Sequence, residues 1–292
     1  MRLARVQTPQ QAACVGLLQD EQLLLTPHDD PLAVIGLEQL ALTGERLEWA
    51  ALYAGRLPGY RLLPPIETPE VWACGFTYQR GPQFGRSPMI PKGPAYTHAI
   101  ESGRPEIFFK TTGFRVVGHN ESVGIRGDSH YGAVEAELCL ILDAQSRPVL
   151  FTAGNDVSAW DIEAQNPLWL AQSKTFEACC ALGPLAVTRE HLPPEARVRC
   201  RVTRGETVLF EDSVPLAQLH WSFEELAAFA RAYTPLPPGT VLMTGTAVIR
   251  PDAESLEEGD VVAVEIDGIG TLRNPARRLS PGVDSQKYTF KR

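Results

Sequence analysis

No run of about 18 apolar residues occurs in the chain, so no stretch of it reads as a membrane-spanning helix. The opening residues, Met-Arg-Leu-Ala-Arg-Val-Gln-Thr-Pro, hold no apolar signal core, and a cytoplasmic location is the expectation. No long basic run is present either. With a net charge of -8, the chain does not present the basic surface that nucleic-acid binding requires. The six cysteines contain no Cys-x-x-Cys pair, and adjacent Cys179 and Cys180 make a poor disulfide framework, so buried reduced thiols are expected. The six histidines stand singly, without the spacing of a zinc site. Gly75, Gly81 and Gly85 do not form a dinucleotide fingerprint, and there is no phosphate loop, internal repeat or low-complexity tract. The chain is 44% hydrophobic and 21% charged, which excludes a disordered chain and leaves a globular protein with a sizeable core.

What is present centres on Gly132 to Glu163. Residues 132–142 alternate as a strand, with Val134, Ala136, Leu138, Leu140 and Leu142 on one apolar face. Glu135, Glu137, Cys139 and Ile141 occupy the other. A turn-rich loop, Asp143 to Pro148, leads to a second predicted strand, Val149 to Asp156. A hairpin centred on that loop places Glu135 opposite Asp156 and gathers three carboxylates on one face. At about 4 Å, two like charges repel by roughly 4 kcal/mol at an effective dielectric of 20, so such a cluster needs a cation or a shared proton. An all-oxygen set suits Mg²⁺, Mn²⁺ or Ca²⁺ better than zinc. The periodicity also fits a solvated strand end carrying scattered acids.

Around this centre, residues 1–65 read as a small α/β unit. It has strands at Arg2 to Gln7, Ala13 to Leu18 and Gln22 to Thr26, and a helix over Pro31 to Tyr53. Gly55 to Gly59 and Pro64-Pro65 mark its end, and residues 66–292 form the larger unit. There, Val71 to Phe76 reads as a strand and 81–104 as a long Gly/Pro-rich loop of the kind that serves as a lid. Glu106, Phe108 and Lys110 share a strand face, whose simplest reading is a surface ion pair. Ser158 to Asp161 has the spacing of a capping box opening a helix beside the acids. Residues 196–214 read as a strand pair turning at Arg204-Gly205-Glu206. Ser222 to Tyr233 reads as a helix capped by Ser222 and Glu225.

Several short motifs occur in one order: Glu135-Ala-Glu137, Gly154-Asn-Asp156-Val-Ser, Lys174 ahead of Leu182-Gly-Pro184, Thr244-Gly-Thr246, and Gly259-Asp260 with Gly268-Ile-Gly-Thr-Leu-Arg-Asn274. Over about residues 66–280 the set resembles the fumarylacetoacetate hydrolase superfamily. The resemblance implies an α+β, mainly β fold, a mixed β-roll behind a small N-terminal α/β domain, and a homodimer or homotetramer. It also implies a divalent ion, usually Mg²⁺, on Glu135, Glu137 and Asp156. Hydrolases of the family carry a histidine in an Asn-Tyr-x-x-His pattern. Here the stretch is Thr77-Tyr78-Gln79-Arg80-Gly81, so the usual general base is missing. His98, on the same loop, could substitute.

Arg104-Pro-Glu106-Ile-Phe-Phe-Lys110, Asp161-Ile-Glu163, Asn166-Pro-Leu168, Gln172-Ser-Lys174 and Cys180-Ala-Leu-Gly-Pro184 are similar to the branch that dehydrates 2-keto-3-deoxy sugar acids. By that resemblance the substrate is a 2-keto-3-deoxy-pentonate and the product 2,5-dioxopentanoate. Chelation of a 2-keto acid acidifies its C3 protons, and an enolate can then expel the C4 hydroxyl. The resemblance nominates Glu106 and Lys174 for proton transfer. Which is base and which acid stays open, although a lysine beside Mg²⁺ should be easier to deprotonate. Thr246, Tyr78 and Arg80 are nominated to bind substrate. A metal-dependent hydrolase or decarboxylase of an acylpyruvate-like acid, and a catalytically idle metal-binding scaffold, are the alternative functions.

Overall fold

The computed structural model describes residues 1–78, 102–248 and 255–282. The N-terminal part supplies β1 (Arg2–Gln7), β2 (Ala13–Gln19), β3 (Gln22–Leu25), β4 (Arg46–Glu48) and β5 (Arg61–Leu62). Next come β6 (Glu70–Gly75), β7 (Glu106–Thr112), β8 (Val116–Val117) and β9 (Val123–Ile125). The centre holds β10 (Gly132–Ala133), β11 (Ala136–Leu142), β12 (Pro148–Asp156), β13 (Ser158–Ala159) and β14 (Cys180–Val187). The remainder is β15 (Arg197–Arg204), β16 (Thr207–Pro215), β17 (Val241–Met243), β18 (Val261–Ile266) and β19 (Gly270–Arg278).

These strands form a mixed, mainly antiparallel architecture. A 12-stranded sheet runs in the order β4-β3-β2-β1-β14-β12-β11-β17-β6-β7, with β5 on β1 and β8 on β14. A five-stranded sheet runs β16-β15-β18-β19-β9. The alternation in β11 explains how they stack. Leu138, Leu140 and Leu142 point into a core shared with Val198, Val262, Val264, Ile266 and Leu272 of the smaller sheet. Cys139 and Ile141 point the other way, toward Leu3, Val15, Leu182, Val241 and Met243. Both faces of β11 are therefore buried, which is why its sequence is a near-continuous apolar run.

The N-terminal strands are stitched to this body. β1 pairs with β14 through Arg2 opposite Val187 and Leu3 opposite Ala186, so the hydrogen-bonded sheet crosses residue 65 without a break. The predicted helix over Pro31 to Tyr53 is a misreading. Only Pro31–Ile35 and Trp49–Tyr53 are helical, and β4 lies between them. Gly36 ends the first turn, and Gly44 takes a φ of +90° that no helix accommodates. Leu47, inside the predicted helix, is instead the buried residue of β4, paired with Leu23. The other helix forms as its sequence directs. Ser222 Oγ accepts from Glu225 N–H at 3.2 Å, and Glu225 accepts from Ser222 N–H at 2.8 Å, so Phe223–Arg231 opens with a complete capping box. All six cysteines are free, five of them buried. Among the described residues no helix is long and apolar enough to cross a membrane.

His119 ties the N-terminal part to the five-stranded sheet. Its Nε2–H donates to Tyr53 O at 3.2 Å, and its Nδ1 accepts from Arg273 N–H at 3.1 Å. Burial pushes its pKa from 6.5 down to about 4. The unfolded chain therefore binds a proton between pH 6.5 and 4 that the folded chain refuses. Stability is unaffected by this group above pH 7 and falls as pH drops through that window, by up to roughly 3 kcal/mol. His119→Gln should lower stability at pH 7 yet give a flatter dependence from pH 6.5 to 4 in urea unfolding. A slope equal to that of the wild type would show that His119 does not carry the effect.

Candidate active site

The site begins with the pairing of β11 and β12. Ala136 opposes Asn155 and Glu137 opposes Gly154, a register kept up to Ile141 opposite Leu150. Continued one step outward, it sets Glu135 against Asp156, and Asp156 N–H donates to Glu135 O at 2.9 Å. The predicted strand is nevertheless broken. Residues 132 and 133 leave to pair with β13, and β11 starts only at Ala136. At the break the Asn155 side chain substitutes for a ladder partner, its Oδ1 accepting from Glu135 N–H at 3.2 Å.

Carboxylate oxygens of Glu135, Glu137 and Asp156 lie within 4.8 Å of one another. Glu137 is fully buried and Asp156 nearly so, which rules out the solvated strand end. Glu137 Oε2 accepts from Gly245 N–H at 2.6 Å, while its Oε1 is buried without a hydrogen-bond partner. Gly245 has a φ of +90°, and a Cβ there would collide with the Thr77 hydroxyl, so this close approach needs glycine. Trp160 stacks on Tyr131 and donates its indole N–H to Glu135 Oε1 at 2.7 Å.

Two ammonium groups enter the cluster. Lys174, ending the helix Leu170–Lys174, reaches Glu135 Oε1 at 2.7 Å and Asp156 Oδ2 at 3.1 Å. Lys110, from β7, reaches Asp156 Oδ1 at 2.5 Å. The surface ion-pair reading of the Glu106–Lys110 face is thus wrong. β7 is an edge strand, but this face packs inward and Lys110 is fully buried. Glu106 sits opposite Gly75 across β6 and β7, and a side chain on Gly75 would overlap its carboxylate.

Charge follows geometry. Burial pushes Asp156 up, but Lys110 and Lys174 outweigh it and hold the carboxyl below its usual range. Burial, then Asp156 and Glu135, push Glu137 well above the usual range. Burial raises Glu106, with Glu135 and Asp156 adding to it and Lys174 opposing. Burial likewise lifts Glu163 to about 7. Burial alone would lower Lys174, but Asp156, Glu135 and Glu163 hold it well above its ordinary value. The expectation of an easily deprotonated Lys174 therefore depends on a cation taking up those carboxylates.

The structure brings together Glu106, Lys174, Glu135, Glu137 and Asp156. Tyr78 is buried beside them, and burial with the nearby Glu137 raises its phenol. Thr246 follows Gly245, and its hydroxyl accepts from Val248 N–H at 3.2 Å in a local turn. Arg80, Gly81, His98 and most of the predicted 81–104 lid lie outside the described residues. The capping box at Ser158 does not form. Ser158 Oγ donates to Asp156 O at 3.0 Å, and Asp161 is occupied by Ser129 Oγ at 2.6 Å and His130 N–H at 2.9 Å. Sequence reasoning gave no site role to Lys110, Trp160 or Glu163, which the structure also brings to the cluster. Strand alternation held the signal for Lys110, because it shares a face with Glu106.

The donor set fits a hard divalent ion. Among the described residues, three carboxylates face two ammoniums, Glu137 is the one that neither ammonium reaches, and its Oε1 is free to coordinate. Glu135, Glu137 and Asp156 could hold it. Glu137→Gln keeps the shape and removes a ligand charge. Mn²⁺ binding by calorimetry should weaken by at least the roughly 10–100-fold typical of losing an outer-shell partner. The apo protein should be no less stable, because a strained buried carboxylate is gone. Wild-type Mn²⁺ affinity in this variant would contradict the site.

Residues 95–277 match the family described as fumarylacetoacetate (FAA) hydrolase C-terminal. The chain is 33% identical over 270 residues to the 2-dehydro-3-deoxy-D-arabinonate dehydratase of Saccharolobus solfataricus, covering 89% of this chain and 91% of that one. It is 36% identical over 212 residues to a probable 2-keto-3-deoxyxylonate dehydratase of Haloferax volcanii, covering 72% and 73%. A solved structure of 2-keto-3-deoxy-D-arabinonate dehydratase complexed with magnesium and 2,5-dioxopentanoate matches with a TM-score of 0.85 at 31% identity, over 96% of this chain and 100% of that one.

Proposed function

Because the chain belongs to the fumarylacetoacetate hydrolase family, we propose that it is a Mg²⁺-dependent hydro-lyase that converts a 2-keto-3-deoxy-pentonate to 2,5-dioxopentanoate and water. The observation that carries this reading is the placement of Glu106 and Lys174 against the Glu135, Glu137 and Asp156 carboxylates. The likeness to the dehydratases, one of them complexed with magnesium and 2,5-dioxopentanoate, supports it. A bound divalent ion would polarise the 2-keto group and make the C3 protons more acidic.

The chain's own residues supply the rest. Loss of a C3 proton and the C4 hydroxyl leaves a 3,4-unsaturated 2-keto acid with a 5-hydroxyl. Proton movement from C5 to C3 gives the enol of the aldehyde, and loss of its hydroxyl proton with protonation of C4 completes 2,5-dioxopentanoate. Both stages need a group that takes a proton and one that gives it back, within hydrogen-bond reach of C3 and C4. Lys174 and Glu106 are assigned to this pair. Lys174 suits the base once its carboxylate partners are engaged elsewhere, and the raised Glu106 carboxyl suits the acid. Thr246 and Tyr78 are assigned to the substrate's polar groups, with Arg80. Mg²⁺ is the assigned ion, Mn²⁺ and Ca²⁺ being the substitutes its oxygen ligands would also accept. The protein is read as a cytoplasmic homodimer or homotetramer, with a small domain over 1–65 and a catalytic domain over 66–292.

Two measurements test this. Lys174→Met and Glu106→Gln should each lower kcat by about 10²–10⁴-fold, the usual contribution of a general acid or base. Mn²⁺ binding should stay intact or tighten in Lys174→Met, since a competing ammonium is removed. One variant should also lose exchange of the C3 protons with deuterated water, while the other exchanges without eliminating water. Normal turnover in both, or loss of metal in both, would remove the pair from the mechanism. Separately, acylpyruvates should be hydrolysed at background rates, because glycine stands at position 81 where the hydrolases carry histidine. Hydrolysis as fast as dehydration would favour the hydrolase reading.

A further inference from the structure

Lys110 is among the largest fully buried side chains of the described residues, and its ammonium ends at the acid cluster. Such a group is retained in a core only where every proton has a partner. Here Nζ donates to Val157 O at 2.8 Å and to Lys174 O, and pairs with Asp156 Oδ1 at 2.5 Å. The Phe176 ring centroid lies 5.6 Å from the ammonium. The Lys110 carbonyl in turn accepts from Thr175 Oγ1 at 2.7 Å.

The identity of these partners is informative. Val157 directly follows Asp156, and the second carbonyl belongs to Lys174 itself. One ammonium therefore fixes the backbone behind a carboxylate of the acid cluster and the backbone of the lysine facing it. The two elements it joins are far apart in sequence, the end of β12 and the end of the Leu170–Lys174 helix. The two oxygens of Asp156 are also divided. Oδ1 goes to the anchored Lys110, and Oδ2 to Lys174. The Lys174 ammonium bonds to the carboxylates of Glu135 and Asp156, whereas Lys110 is held by two backbone carbonyls as well.

We propose that Lys110 is a positioning residue that sets Asp156 and Lys174 relative to one another and thereby prepares the carboxylate for a divalent ion. This rests on the reading that Asp156 holds that ion. Coulomb's law alone predicts the opposite effect of removing Lys110, because deleting a cation beside a ligand should tighten metal binding. Weaker binding is therefore specific to a positioning role.

The test measures Mn²⁺ affinity by calorimetry and kcat and KM at saturating Mn²⁺, for wild type, Lys110→Met, Lys110→Gln, Asp156→Asn and the double variant Lys110→Met/Asp156→Asn. The double variant replaces the buried ion pair with a neutral pair of similar shape, so it should fold even where Lys110→Met does not. Lys110→Met or Lys110→Gln is expected to weaken Mn²⁺ binding about 10–100-fold, the range found for outer-shell partners of metal ligands. kcat should fall at least tenfold, with KM within about threefold. In the Asp156→Asn background the Lys110 substitution should weaken Mn²⁺ binding no further, since its effect runs through Asp156. If Lys110→Met loses thermal stability but binds Mn²⁺ and turns over as the wild type does, Lys110 is merely structural and the proposal fails. Tighter Mn²⁺ binding, or losses that add in the double variant, would also overturn it. Unchanged Mn²⁺ affinity in Asp156→Asn would instead remove the ion from Asp156, and the positioning role with it.

Discussion

Three carboxylates held within 4.8 Å of one another cannot all remain charged inside a sheet unless positive charge is brought to them. Much of the architecture near the site follows from that requirement. Lys174 arrives from a short helix and Lys110 from an edge strand, and both end on Asp156. They hold Asp156 ionised, while Glu137, which no ammonium of the described residues reaches, is pushed by burial and its carboxylate neighbours toward its neutral form. The cluster is thus only partly neutralised by the protein. With all three carboxylates ionised, a dication beside Lys110 balances them only if the Lys174 ammonium gives up its proton, and a bound ion would take over the carboxylates that keep Lys174 protonated. The same oxygens that would hold an ion are those that hold the Lys174 ammonium.

The fold supplies the rigidity such a cluster needs. β11 is apolar on both faces, and its pairing with β12 is fixed by two cores at once, one shared with the five-stranded sheet and one behind it. A register slip would move both sets of side chains to the wrong side, so the opposition of Glu135 and Asp156 is strongly determined. Close approach is secured by small residues at chosen points. Gly75 leaves room for Glu106, and Gly154 sits opposite Glu137, where a Cβ would run into Cys139. The N-terminal strands extend the same sheet through β1 and β14, so they buttress the strand next to β12.

Much of this was legible in the amino-acid sequence, for identifiable reasons. A loop rich in turn residues between two alternating segments defines a hairpin register, and the structure keeps that register to within the bulge at Leu142. The Ser222 cap was legible because it depends on residues three apart and nothing distant. The failures come from partners that sequence spacing does not reveal. Asp161 has the spacing of a cap, but Ser129 and His130 N–H claim it first. Leucines between 31 and 53 match a helical period, yet Gly36, Gly44 and the pairing of Leu47 with Leu23 override it. Lys110 on an edge strand reads as solvent-facing until the packing of its face is known. Glu106 and Lys174 were singled out only through family resemblance, since nothing local in the sequence distinguishes either from an ordinary charged residue.

Anomalous scattering at the manganese edge, from crystals soaked in Mn²⁺, addresses the central claim most directly. One strong peak should appear with an oxygen of each of Glu135, Glu137 and Asp156 at roughly 2.0–2.3 Å, the range for small hard cations. Lys174 Nζ should have moved off Asp156 while Lys110 stays in place. No peak at saturating Mn²⁺, a peak away from the three carboxylates, or Lys174 still bridging Glu135 and Asp156 beside a bound ion would contradict it.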